Sequence, residues 1–126
     1  MNGLIIASHD EAGYKPLIDF ETWRVALING PPEYHSNEIS ELSVHFETDE
    51  VFILLEGSCA LLIGGNKDQP ENPETIWLRK GFLYNVTKGT WHSEILLPGT
   101  KVLIVENSNT SKENSKVVQL PQRIKF

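Results

Sequence analysis

The chain is written in short apolar stretches of four to seven residues, each stopped by turn-forming residues before a helix of ordinary length could develop. Trp23–Ile28 runs into Asn29-Gly30-Pro31-Pro32, and Leu42–Phe46 into Thr48-Asp49. Val51–Leu55 ends at Glu56-Gly57-Ser58, and Cys59–Ile63 at Gly64-Gly65. Thr75–Leu78, Phe82–Val86, Trp91–Leu97 and Lys101–Glu106 continue the series. Segments of this length, spaced about ten residues apart and bounded by Gly, Pro, Asn and Asp, predict an all-β sandwich or barrel. No ten-residue window carries an apolar stripe of helical period. The residue choice agrees: 8 Val, 11 Ile and 7 Thr stand against 4 Ala, and β-branched side chains fit a pleated surface.

The intervening stretches read as surface. Residues 66–74 (NKDQPENPE) hold two prolines and no large apolar side chain, and residues 107–116 (NSNTSKENSK) are polar throughout. Val117–Leu120 reads as a last edge strand or as a tail pairing with a neighbour. No repeat or domain-sized linker divides the 126 residues, so residues 1–126 are read as one domain. Eleven Lys and Arg against 17 Asp and Glu leave a formal charge of −6, so the basic footprint of a nucleic-acid binder is missing. No apolar run approaches the roughly 20 residues of a membrane span. The first residues carry no basic cluster of the secretory kind. A single cysteine, Cys59, has no internal partner and suits a reducing cytoplasm. It reads as a small buried hydrophobe.

Two stretches carry the chemical information. In HFETDEVFILLEG, four residues separate His45 from Glu50 and six separate Glu50 from Gly57. In GFLYNVTKGTWH, seven residues separate Gly81 from Gly89, and two more lead to His92. Alternation puts Leu42, Val44 and Phe46 on one strand face and Ser43 and His45 on the other. Across a Thr48-Asp49 hairpin, His45 and Glu50 can stand as cross-strand neighbours. A second imidazole from a distant strand would complete a two-His, one-carboxylate set with open coordination positions. His92 is the candidate. The alternatives are a plain cross-strand pair for His45 and Glu50, and a core histidine bonded to a carbonyl for His92.

These stretches resemble the paired motifs of the cupin superfamily. The first motif there reads His-x-His, three or four residues, Glu, six residues, Gly. The second reads Gly, five residues, Pro, x, Gly, two residues, His, three residues, Asn. His45, Glu50, Gly57, Gly81, Gly89 and His92 match, within residues 43–96. Ser43 stands at the first motif's leading His, Thr87 at the Pro and Leu96 at the Asn. The resemblance implies a single jelly-roll barrel (a double-stranded β-helix). It also implies a divalent ion (Zn, Fe, Mn or Ni) on His45, Glu50 and His92. Losing the first His thins that site and leaves Ser43 to bond a metal-bound water.

Further candidates follow from alternation. Glu94 lies two residues beyond His92 and shares its face, which makes it a candidate for catalytic proton transfer, or a carboxylate near the barrel mouth. Arg24 is a candidate clamp for an anionic substrate, or simply the polar side of its strand. Tyr84 lines the pocket or fills the core. Trp91, Trp23 and Trp77 are expected in packing, and His9 and His35 on the surface. The glycines Gly57, Gly81 and Gly89 read as positive-φ turn residues. The resemblance implies a metal-dependent isomerase, lyase or dioxygenase acting on a small polar metabolite. The competing reading is a ligand-binding or sensor barrel with a reduced metal site, or none. A homodimer is expected, with Leu4-Ile5-Ile6 and Val117-Val118 as candidate edge or swapped strands.

Overall fold

The computed structural model describes residues 3–33 and 38–125. Ten strands form two five-stranded antiparallel sheets. They are β1 (Gly13–Phe20), β2 (Trp23–Asn29), β3 (Glu38–His45), β4 (Glu50–Glu56), β5 (Cys59–Ile63), β6 (Glu74–Trp77), β7 (Tyr84–Val86), β8 (His92–Leu96), β9 (Lys101–Asn107) and β10 (Ser115–Lys125). The first sheet runs β1-β2-β9-β4-β7 and the second β10-β3-β8-β5-β6. A single 3₁₀ turn, η1 (Lys112–Asn114), is the helical element among the described residues. No helix there is long and apolar enough to cross a membrane.

The inward faces of both sheets close on one apolar core: Ala26, Phe52, Leu54, Cys59, Leu61, Leu78, Val86, Val102 and Ile104. Burial of such side chains contributes about 1.5–3 kcal/mol each for the larger ones. A second cluster, Leu42, Val44, Leu62 and Trp91, lies on the outer face of the second sheet. The proline-bearing loop before β6 covers it. Trp91 donates from Nε1 to the Lys67 carbonyl at 2.9 Å, and Trp91 and residues 64–65 exchange backbone hydrogen bonds of 2.8 Å.

Several expectations change on this frame. β3 and β4 do not form a hairpin: β3 pairs with β10 and β8, β4 with β9 and β7. The Thr48-Asp49 link therefore carries the chain from one sheet to the other. β1 was not anticipated, because Lys15, Pro16 and Asp19 break its apolar pattern. It survives as an edge strand whose register slips between Pro16 and Ile18, where a proline without an N–H is tolerated. Leu4-Ile5-Ile6 is exposed and outside any strand, whereas Val117 and Val118 belong to β10 and pair with β3. Phe46, Trp23 and Trp77 are each about half exposed, with Trp23 stacked on Phe20. His9 is buried, with Nε2 against the Gly13 carbonyl at 2.9 Å. His35 lies outside the described residues.

Candidate metal centre

His45 ends β3, Glu50 begins β4 and His92 begins β8, so each stands where a strand meets the mouth of the barrel. The crossover between the sheets aims the first two at each other. The Thr48 hydroxyl accepts from the Asn107 N–H at 2.9 Å. Asp49 accepts from the Lys88 N–H at 2.8 Å and the Asn85 amide at 3.1 Å; the Lys88 N–H and then Asn85 hold its carboxyl below the usual range. The His45 carbonyl accepts from the Gly89 N–H at 2.8 Å, so the second stretch is clamped onto the first. Gly89 has φ +79°, a left-handed conformation that costs other residues energy.

The three side chains converge. His92 Nε2 lies 3.0 Å and His45 Nε2 3.4 Å from the same oxygen, Glu50 Oε1, and one ligand atom from each residue fits within 4.8 Å of the others. Glu50 and His92 are buried. Burial alone would raise the Glu50 pKa; hydrogen bonds from His45 and His92 outweigh it and hold the carboxyl at about 2. Burial likewise opposes the His92 imidazolium, yet Glu50 and the Thr90 carbonyl together raise its pKa. His92 Nδ1 donates to the Thr90 carbonyl at 3.0 Å, because a carbonyl only accepts. In the neutral ring this leaves a lone pair on Nε2, aimed at a carboxylate. A second proton or a cation between them satisfies both groups. Metal–ligand bonds of about 2.0–2.2 Å set neighbouring donor atoms about 3.0–3.4 Å apart. The donor set fits a divalent ion.

The site opens into a cavity of about 640 Å³, lined also by Ser43, Glu94, Arg24, Tyr14, Glu106 and the loop after β9. That volume suits a small molecule. Ser43 lies directly opposite His92 in the ladder. Glu94, opposite Leu61 on the inner face of β8, has no hydrogen-bond partner among the described residues. Burial, then repulsion from Glu50, pushes its carboxyl up to about 7. Arg24 donates to Glu106 Oε1 at 2.7 Å and to the Ser108 carbonyl at 3.3 Å; Tyr14 donates to the same Glu106 oxygen at 2.8 Å. Arg24 thus reaches the cavity with its charge already matched. Tyr84 stands apart: it packs against the core and lines a separate depression, and its hydroxyl accepts from the Arg79 N–H at 3.0 Å.

Tyr14, Glu106 and Ser115 were missed as cavity residues. Glu106 was detectable, since it falls in phase with Val102 and Ile104, both buried. Tyr14 sits on the unanticipated β1, and Ser115 becomes a neighbour of His45 only through the pairing of β10 with β3.

No family model and no curated protein matches the sequence. Solved structures do match. A cupin-2 domain containing protein from Shewanella frigidimarina aligns over 79% of this chain and 84% of its own, with 24% identity and a TM-score of 0.54. WlaRA, a TDP-fucose-3,4-ketoisomerase from Campylobacter jejuni, aligns over 83% and 85% at 17% identity and a TM-score of 0.60. An Fe(II) HppE in complex with substrate aligns over 85% of this chain and 58% of that one, at 19% identity and a TM-score of 0.53. The chain has the cupin fold. Within this cupin barrel, the two histidines and the glutamate form a group that can hold a metal ion.

Proposed function

We propose that this cupin is a metal-dependent enzyme acting on a small polar metabolite by isomerase, lyase or dioxygenase chemistry. One observation carries the reading: two imidazole nitrogens and a carboxylate oxygen gather within 4.8 Å in a cavity that also presents the carboxyl of Glu94. When bound, a divalent ion (Zn, Fe, Mn or Ni) supplies Lewis acidity to a substrate oxygen, and iron adds dioxygen chemistry. Glu94 takes or returns the proton, since it faces the same space and its carboxyl has no hydrogen-bond partner among the described residues. Ser43 orients a water or substrate hydroxyl, and Arg24 with Glu106 bounds the far side of the cavity. The ketoisomerase and Fe(II) neighbours support small-molecule chemistry on this fold without choosing the reaction. The partner is a small molecule, the assembly a homodimer, and the lone cysteine favours the cytoplasm.

Metal analysis of protein purified without chelator tests this reading. One equivalent of a first-row metal, lost in His45→Ala, supports it, and a substrate screen with Glu94→Gln then separates turnover from binding. Ser43 at the leading histidine position favours a second reading, a ligand-binding or sensor barrel without metal. Failure to take up metal even on reconstitution would move the assignment there.

A further inference from the structure

The polar loop that follows β9 is wired to one of the histidines. Ser115 lies directly opposite His45 in the β3–β10 ladder, and its Oγ is 2.7 Å from His45 Nδ1. Ser115 Oγ is also 3.5 Å from Asn114 Oδ1. That oxygen accepts from the Ser111 N–H at 2.9 Å, while Asn114 Nδ2 donates to the Asn109 carbonyl at 3.0 Å. The Phe46 N–H, next to His45, donates to the Asn114 carbonyl at 3.0 Å. A continuous chain of polar contacts therefore leads from His45 into the loop whose Thr110, Ser111 and Lys112 line the cavity mouth.

We infer that Ser115 is a positioning residue for His45 and couples occupancy of the metal centre to the order of this loop. The inference rests on the metal-dependent reading above. An imidazole that offers its Nε2 lone pair to a cation keeps its proton on Nδ1. The Ser115 hydroxyl must then accept from Nδ1 and turn its own proton toward Asn114 Oδ1, which braces the turn at η1. When the ring proton sits instead on Nε2, facing Glu50, Nδ1 becomes an acceptor. The hydroxyl rotates to donate to it, and Asn114 Oδ1 loses the Ser115 proton and keeps the Ser111 N–H. The ring tautomer is thereby read out at the mouth, and a loop that reads as inert surface in the sequence becomes part of the site.

Zn(II) affinity, measured by chelator competition on the full chain, and amide exchange of residues 108–116 with and without Zn(II) test this. The wild type should gain protection there on binding metal. Ser115→Ala should bind about 10- to 100-fold more weakly, the usual effect of removing a ligand's outer partner, and should gain no protection when saturated. Ser115→Thr, which keeps the hydroxyl, should restore both. Equal Zn(II) affinity and equal protection in wild type and Ser115→Ala would overturn the coupling while leaving the metal centre intact. A wild type that binds no Zn(II), Mn(II), Fe(II) or Ni(II) would overturn the metal reading and this inference with it.

Discussion

Glu47 and Glu50 make a controlled pair, three residues apart but on opposite sides of the chain's passage between sheets. Glu47 is exposed, whereas Glu50 is buried against both histidines. Glu50→Ala should weaken metal binding by more than about 100-fold, beyond what losing an outer partner costs, and Glu47→Ala should leave it unchanged; chelator competition reads the difference. Equal affinities would refute the inward assignment of Glu50. Cys59 offers an independent check on the interior. Burial, then the nearby Glu94 charge, pushes its thiol up to about 12, so the reactive thiolate is scarce in the native state. Native protein at pH 8 should resist alkylation, and denatured protein should be modified fully; rapid native labelling would show that the core is open. Legibility at this scale was uneven. The spacing shared with the cupin motifs, together with strand alternation, picks out His45, Glu50 and His92, and alternation from His92 picks out Glu94, although the Thr48-Asp49 hairpin expected to pair His45 with Glu50 does not form. Tyr84, read as lining the pocket or filling the core, packs against the core and faces another depression, and Ser115 leaves no trace, since its role arises from long-range pairing.

Nine of the strands overlap the apolar stretches visible in the sequence, β10 through Val117–Leu120, with ends shifted by up to five residues. What could not be read was which strands pair. The short link at Thr48-Asp49 has the composition of a hairpin turn, yet it crosses between sheets, because Asn107, Asn85 and Lys88 hold it from elsewhere. Turn glycines differ in a similarly hidden way. Gly57 and Gly89 both have positive φ, but a methyl at Gly57 would collide with Thr100, whereas the space at Gly89 is open. Thr100 in turn exchanges two 2.9 Å hydrogen bonds with the Ser58 backbone. Gly89→Ala should therefore cost about 1–2 kcal/mol, the backbone term alone, and Gly57→Ala clearly more, by urea unfolding. The reverse order would mean that the turn after β4 adapts in a way its contacts do not suggest.

For the whole molecule, the outer edge of β1 has no strand partner among the described residues, and Phe20 and Trp23 stack beside it while remaining about half exposed. An open edge flanked by apolar side chains invites a second copy. Light scattering at micromolar concentration should give the mass of a dimer, and Trp23→Lys should shift it toward monomer; a monomeric wild type would remove the proposal. Metal removal is the other test at this scale. A saturating ligand at 100 times its dissociation constant adds about 2.7 kcal/mol to stability, so chelation should lower the melting temperature by several degrees, and Glu50→Ala should show no such response.

The carboxylate comes from one sheet and both imidazoles from the other. An ion seated among them would act as a rivet through two leaves that are otherwise fastened mainly by greasy contact. Withdrawing it would leave the pair free to splay at that end, admitting water beside Phe52, which already lies against His92. Scarcity of the metal would then reach the cell as a problem of protein lifetime as well as of chemistry.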